Sequence, residues 1–328
     1  MRASILYCTA RSEPRFDWLN DSLLNAGIAD HDVELLVIDA KLWGGSDVRR
    51  GQFERCAEGL RAAGVQITHI PPKPSRWQGP ARLTKSDYFA LANARNTGLI
   101  VARGQRIIAL DDCSVVDRGW LTGHLGWPDD VLVAGSFFTY KTAIVKDGVV
   151  QGGDQGAYGP DPRQAQAPTP GRTNGGWMYG LSSSYPVEAA VRVNGSDELY
   201  DSQGGSEDCD FGVRMERAGF ACFWDPRIII YQVLETHEAV LEHSGWGLNQ
   251  AVKRKPKELK VRRDGQMHFA NEVLIERLCL DELDRYLPLG NNFSIAEMRS
   301  HYERTHEFLP VQFDPVDWRD GQQLSEME

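Results

Sequence analysis

Long apolar runs are missing from this chain of 328 residues. No uncharged stretch approaches the ~20 residues that cross a bilayer, and the apolar start, Ile5-Leu6-Tyr7, turns polar by Thr9, too soon for a secretory leader. A membrane span is therefore not expected. Cysteine is sparse as well: six residues (8, 56, 113, 209, 222 and 279) stand far apart without CxxC spacing, in a chain long enough to need no covalent staples. They read as reduced thiols, which implies a cytoplasmic protein. Positive charge is in deficit, with a net charge of −10, so broad contact with nucleic acid is disfavoured, although a local basic patch is not. The glycine-rich, lysine-bearing phosphate loop of a nucleotidyltransferase is absent after the first strand, where Cys8-Thr9-Ala10-Arg11-Ser12 stands instead. Internal repeats are also lacking.

What is present is an ordinary globular composition, 41% apolar and 25% charged, in alternating patterns. Residues 4–8 read as a buried strand and 17–26 as a helix with Trp18, Leu19, Leu23 and Leu24 inward. A strand at 33–38 ends at Asp39, a helix follows at 52–63, and a strand at 65–70 is stopped by Pro71-Pro72. A helix at 88–102 then leads to a strand at 105–110. Such alternation predicts an α/β fold with parallel strands and crossover helices on both faces. Ligands of such sheets gather at the carboxyl ends of the strands, which puts the segments after Cys8, Asp39 and Leu110 on one rim. Residues 131–150 read as an antiparallel pair turning at Asp147-Gly148, and 151–176, rich in Gly, Pro, Gln and Ala without periodicity, read as a lid-like loop. A β-like stretch is expected at 220–233. From residue 248 the chain turns helical and charged, with helices near 269–286 and 294–305, so residues 1–247 form the main domain and 248–328 a helical extension.

Two acidic clusters carry the chemistry. Asp111-Asp112-Cys113 follows the apolar run Ile107-Ile108-Ala109-Leu110; Glu207-Asp208-Cys209-Asp210 follows Gly204-Gly205-Ser206 and opens an amphipathic stretch. Carboxylates ending a strand can hold a divalent cation on a diphosphate, and a carboxylate at a helix start can act as general base on an acceptor hydroxyl. Each also has a structural reading, since aspartates favour turns and stabilise helix N-termini.

The surroundings narrow the choice. Ala94-Arg95-Asn96-Thr97-Gly98-Leu99 through Ala102-Arg103-Gly104 runs into Asp111-Asp112, and Gly204-Gly205-Ser206-Glu207-Asp208-Cys209-Asp210-Phe211 is followed by Arg214, Ala218-Gly219 and Asp225-Pro226. The ordered set, within residues 3 to 240, resembles glycosyltransferases of the GT-A fold, especially family 2 and its polypeptide GalNAc-transferase-like branch. The resemblance implies a nucleotide-sugar donor, a UDP-sugar first, with Mn2+ or Mg2+ as cofactor and inversion at the anomeric carbon. It implies donor contacts from Thr9, Arg11, Glu13, Asp39, Arg95 and Asp111, with Asp39 accepting a uracil imide hydrogen. Asp208 would be the general base and Glu207 an orienting group. Gly175 and Gly176 would let a ligand approach the backbone, and Trp177 would floor a sugar subsite.

The chain departs from that pattern at two places. Relatives carry Asp or His where Cys113 stands, and a metal-binding His near the position of Gln232. A thiol is a poor partner for hard cations, so the ion falls to Asp112 or Asp111, unless Cys113 takes a softer metal or metal dependence is weak. His237, and His243 beyond it, offer a distal ligand, His237 being preferred. The loop around Trp77 borders the donor in this reading. The basic run at 253–263 is either a solvated face or a contact for an anionic acceptor. The acceptor class stays open among glycan, protein, small molecule and a hydroxymethylated base of viral DNA. A non-catalytic nucleotide-sugar-binding module is the rival from another class, opposed by the intact Asp112 and Asp208.

Overall fold

The computed structural model describes residues 1–42, 46–74, 90–112, 114–198, 207–233, 259–261, 267–269 and 294–309, with side chains omitted at 156–158, 259–261 and 267–269. Four strands, β1 (Ala3–Thr9), β2 (Val33–Asp39), β3 (Gln66–Ile70) and β4 (Arg106–Leu110), pair in parallel in the order β3-β2-β1-β4. Helices α1 (Phe16–Asn25), α2 (Asp47–Ala62) and α3 (Leu91–Val101) connect them. The α/β organisation anticipated from the alternating patterns is present. Alternate strand residues feed two cores. Ile5, Tyr7, Leu35, Val37, Ile108 and Leu110 pack with α1 and α2 residues on one face. Leu6, Cys8, Leu36, Ile38 and Ile107 pack with Leu99 and Ile100 of α3 on the other.

Beyond β4 the sheet becomes mixed. After β5 (Ser114–Val116) and α4 (Trp120–Leu125) come β6 (Leu132–Lys146) and β7 (Val149–Pro160), joined at Asp147 and Gly148. Those two residues have φ of 50° and 69°, the left-handed pair that a tight hairpin requires. α5 (Arg163–Gln166) and β8 (Gly171–Thr173) follow. The lid expected at 151–176 is thus overturned: its first half is an edge strand laddered to β6, and β8 pairs with β10 (Cys222–Val233). A glycine-rich edge strand is held by backbone hydrogen bonds and needs no apolar period, which is why composition concealed it. β9 (Ser182–Pro186) lies antiparallel between β4 and β6 and completes the order β3-β2-β1-β4-β9-β6-β10-β5.

α6 (Val187–Arg192) and α7 (Glu207–Arg217) cover the second core, as does α8 (Ile295–Thr305), capped by Ser294 and Glu297 in a reciprocal box. β11 (Leu259–Val261) and β12 (Met267–Phe269) form a separate antiparallel pair. Among the described residues no helix is long and apolar enough to cross a membrane.

Candidate active site

The first acidic cluster sits where β4 ends, beside the end of β1. Asp112 is buried; its Oδ2 accepts from Thr9 Oγ1 at 2.8 Å and lies 2.9 Å from Nε of the equally buried Arg11. Tyr7 Oη donates to the Asp112 carbonyl at 3.1 Å. Asp111 faces outward more. Its Oδ1 accepts from the Asp112 amide at 2.7 Å and its Oδ2 from Gln232 Nε2, on β10, at 3.0 Å. Glu13 lies exposed in the turn after Arg11.

The second cluster opens α7. Asp208 Oδ1 accepts from the Cys209 amide at 2.7 Å, and its Oδ2 from the Gly180 amide at 2.8 Å. Glu207 is buried and bonded through Oε1 to Arg95 Nη1 at 2.9 Å. Burial and the neighbouring Asp208 charge push the Glu207 carboxyl above the usual range, against the pull of Arg95. Arg95 stays a cation because Glu207 and Asp208 outweigh its own burial.

The two clusters share one rim. Leu110 pairs with Ser182, so Asp111 leaves β4 beside the approach to β9, where Gly180 hands its amide to Asp208. Arg95 and Asp208 line one pocket with Ala109, Tyr185 and Phe211. Cys8, at the end of β1, feels the charges of Arg95, Asp112 and Asp111 together, and burial pushes its thiol up to about 12. A guanidinium therefore underlies each carboxylate cluster, the buried Arg11 at the first and the half-buried Arg95 at the second.

Asp39 ends β2 on the same rim but is turned wholly inward, onto Arg49 and His69. Burial pushes its carboxyl up, yet the hydrogen bonds from His69 and Arg49 prevail and hold it below the usual range. Gly175–Trp177 forms a 3-10 turn packed on α7: a Cβ on Gly175 would lie 2.2 Å from the Gly212 carbonyl oxygen. The small residue serves helix contact there, while Trp177 stands edge-on to Trp224 with centroids 5.4 Å apart. Cys113, Trp77, Gly204, Gly205, His237, His243 and all of the basic run but 259–261 lie outside the described residues.

Three contributors escaped the sequence reading. Gly180 has no motif around it; Arg49 lies in a first turn of α2 that Ser46 caps, accepting the Arg49 amide at 3.2 Å; His69 is the penultimate residue of a strand of unremarked pattern. Only Arg49 carried a signal, the Ser46-Asp47 helix start.

For a divalent ion, the fit rests on Asp111. Its carboxylate is half-buried at the strand end and hard-oxygen in character, and Mg2+-like ions need only one or two protein carboxylates beside substrate phosphates. Among the described residues no three His, Cys, Asp or Glu side chains converge as a closed metal cage.

No family model and no curated protein matches this chain. Solved structures do. Residues 1–349 of TarS from S. aureus are 13% identical, with 93% of this chain and 73% of that one covered at a TM-score of 0.47. The mannosyltransferase PcManGT from Pyrobaculum calidifontis, in complex with GDP-Man and Mn2+, is 15% identical, with 94% and 76% covered at 0.46. GalNAc-T7 with UDP, GalNAc and Mn2+ is 13% identical, with 92% and 54% covered at 0.48.

Proposed function

We propose that this chain transfers a sugar from a nucleoside diphosphate donor, a UDP-sugar first, to an acceptor hydroxyl, with inversion. The observation that carries the reading is the convergence of both acidic clusters on one rim of the sheet, each against an arginine, the buried Arg11 at one and the half-buried Arg95 at the other. Asp208 is the general base. Two backbone amides fix its carboxylate without neutralising it, so it can take the acceptor proton as the hydroxyl oxygen bonds to the anomeric carbon and the nucleoside diphosphate departs with the bonding pair. Glu207, held by Arg95, sets the pose of α7's first turn. A divalent ion, held by Asp111 with Asp112 behind it, would when bound neutralise charge on the leaving diphosphate.

The test combines binding and turnover. Nucleoside diphosphates and their sugars should raise the melting temperature, more with Mn2+ than with EDTA. Asp208→Asn should slow transfer by roughly two to four orders of magnitude while donor affinity stays nearly unchanged, because the proton comes from the acceptor. Near-normal turnover would remove Asp208 as base, and stabilisation by no nucleotide would remove the donor assignment.

A further inference from the structure

Asp39 is 0% exposed, and its two oxygens accept four hydrogen bonds. Oδ1 takes the Lys41 amide at 3.0 Å and Arg49 Nη2 at 3.1 Å; Oδ2 takes Arg49 Nε at 2.7 Å and pairs with His69 Nε2 at 3.1 Å. A carboxylate has about four lone-pair sites, so nothing remains for the imide hydrogen of a base. Arg49 continues outward: Nη2 donates to the Arg11 carbonyl at 2.8 Å and Nη1 to the Ser12 carbonyl at 3.1 Å. The residue so gripped is the one whose side chain lies 2.9 Å from Asp112. Aromatic walls enclose the relay, with Phe16 5.0 Å from the Arg49 guanidinium carbon and Phe53 4.4 Å from the His69 ring.

We infer that Asp39 and Arg49 are positioning residues that fix the Arg11–Ser12 backbone and so seat Arg11 on Asp112, and that neither reads the nucleobase. The consequence for binding rests on the donor reading above. Asp112 stands beside Asp111 at the diphosphate end of the donor, which every nucleotide shares. Loosening the relay then weakens all nucleoside diphosphates alike. A base reader would behave oppositely, its loss falling on the matching base alone.

The experiment is calorimetric titration of UDP, CDP and GDP, with Mn2+, into the full chain and its Asp39→Asn and Arg49→Lys variants. Both variants should lose affinity for every nucleotide that binds by one common factor, on the order of tenfold, as expected when a supporting contact of a ligand-binding group is removed. Arg49→Ala, titrated as a third variant, should lose more than Arg49→Lys, which keeps the charge without the fork. A base-selective loss in Asp39→Asn, or no loss in either variant, would overturn the inference. Amide hydrogen exchange without nucleotide supplies the second arm. Exchange at the Arg11 amide, which donates to Thr9 Oγ1 at 3.2 Å inside the gripped turn, should quicken in both variants, and unchanged exchange would refute the positioning role. If the unaltered chain binds no nucleotide, the donor reading fails, and the exchange arm still decides whether the relay holds that turn.

Discussion

His124 is fully buried on α4, its Nδ1 3.1 Å from Ser184 Oγ and its ring edge-on to Trp120. Burial, with the nearby Arg106 charge, pushes its pKa down to about 3. Its folded value lies below the ordinary 6.5, so the folded protein keeps a neutral imidazole while the unfolded chain takes up a proton. The stability tied to this residue is complete above pH 6.5 and is lost as pH falls from there toward 3. Thermal midpoints should therefore decline between pH 7.5 and about 5, and His124→Gln should flatten part of that decline while lowering stability at neutral pH. Parallel slopes for the two proteins would mean that His124 protonates in place. Sequence alone shows nothing of this. His124 is one of eight histidines, and only the fold brings Arg106 and Ser184 around it. Asp111 and Asp208 were legible because their settings, strand end and helix start, are local.

At the level of elements, legibility followed periodicity. The parallel strands carry continuous apolar runs, and the Asp147-Gly148 hairpin carries its turn chemistry, so both could be read. β9 could not. Its Ser182-Ser183-Ser184 looks like loop, yet Ser182 accepts from Trp120 Nε1 at 3.2 Å and Ser184 from Arg106 Nη1 at 2.9 Å, so its polarity is spent inside the fold. The turn before β9 is equally silent in sequence and more consequential. A Cβ on Gly180 would lie 1.6 Å from Arg95 Nη2, so any side chain there must drive the guanidinium from its place against Glu207. Gly180→Ala should lower turnover on the order of a hundredfold, since displacements of about an ångström near the reacting groups cost that much. The measurement is turnover beside nucleotide affinity. Unchanged turnover would show that the Arg95–Glu207 pair is not needed for the α7 pose.

The molecule as a whole is tied together behind the site by the turn after α6. Asn96 of α3 clamps Ser196 in both directions, donating to its carbonyl at 2.9 Å and accepting its amide at 2.8 Å. Arg214 of α7 donates to the Val193 and Gly195 carbonyls, each at 2.8 Å, and Lys73 pairs with Glu198 at 2.7 Å. α8 joins from the far end of the chain: the Ile295 amide donates to Asn194 Oδ1 at 2.7 Å, Ile295 and Met298 are buried, and Arg299 donates to the Leu99 and Ala102 carbonyls. These bonds pass through the helices that carry Arg95 and Glu207, so α8 supports the site without reaching it. The sequence showed α8 as a helix but not where it docks, because a helical period names the buried face and not its partner. Ile295→Ala removes a fully buried side chain from the second core and should cost about 2–5 kcal/mol of stability. If α8 shares one cooperative unit with the sheet, circular dichroism and nucleotide-protected melting should shift together in this variant, with a single transition. An early, separate loss of helical signal, with nucleotide-protected melting unmoved, would instead make α8 an appendage that unfolds on its own and leaves the catalytic rim intact.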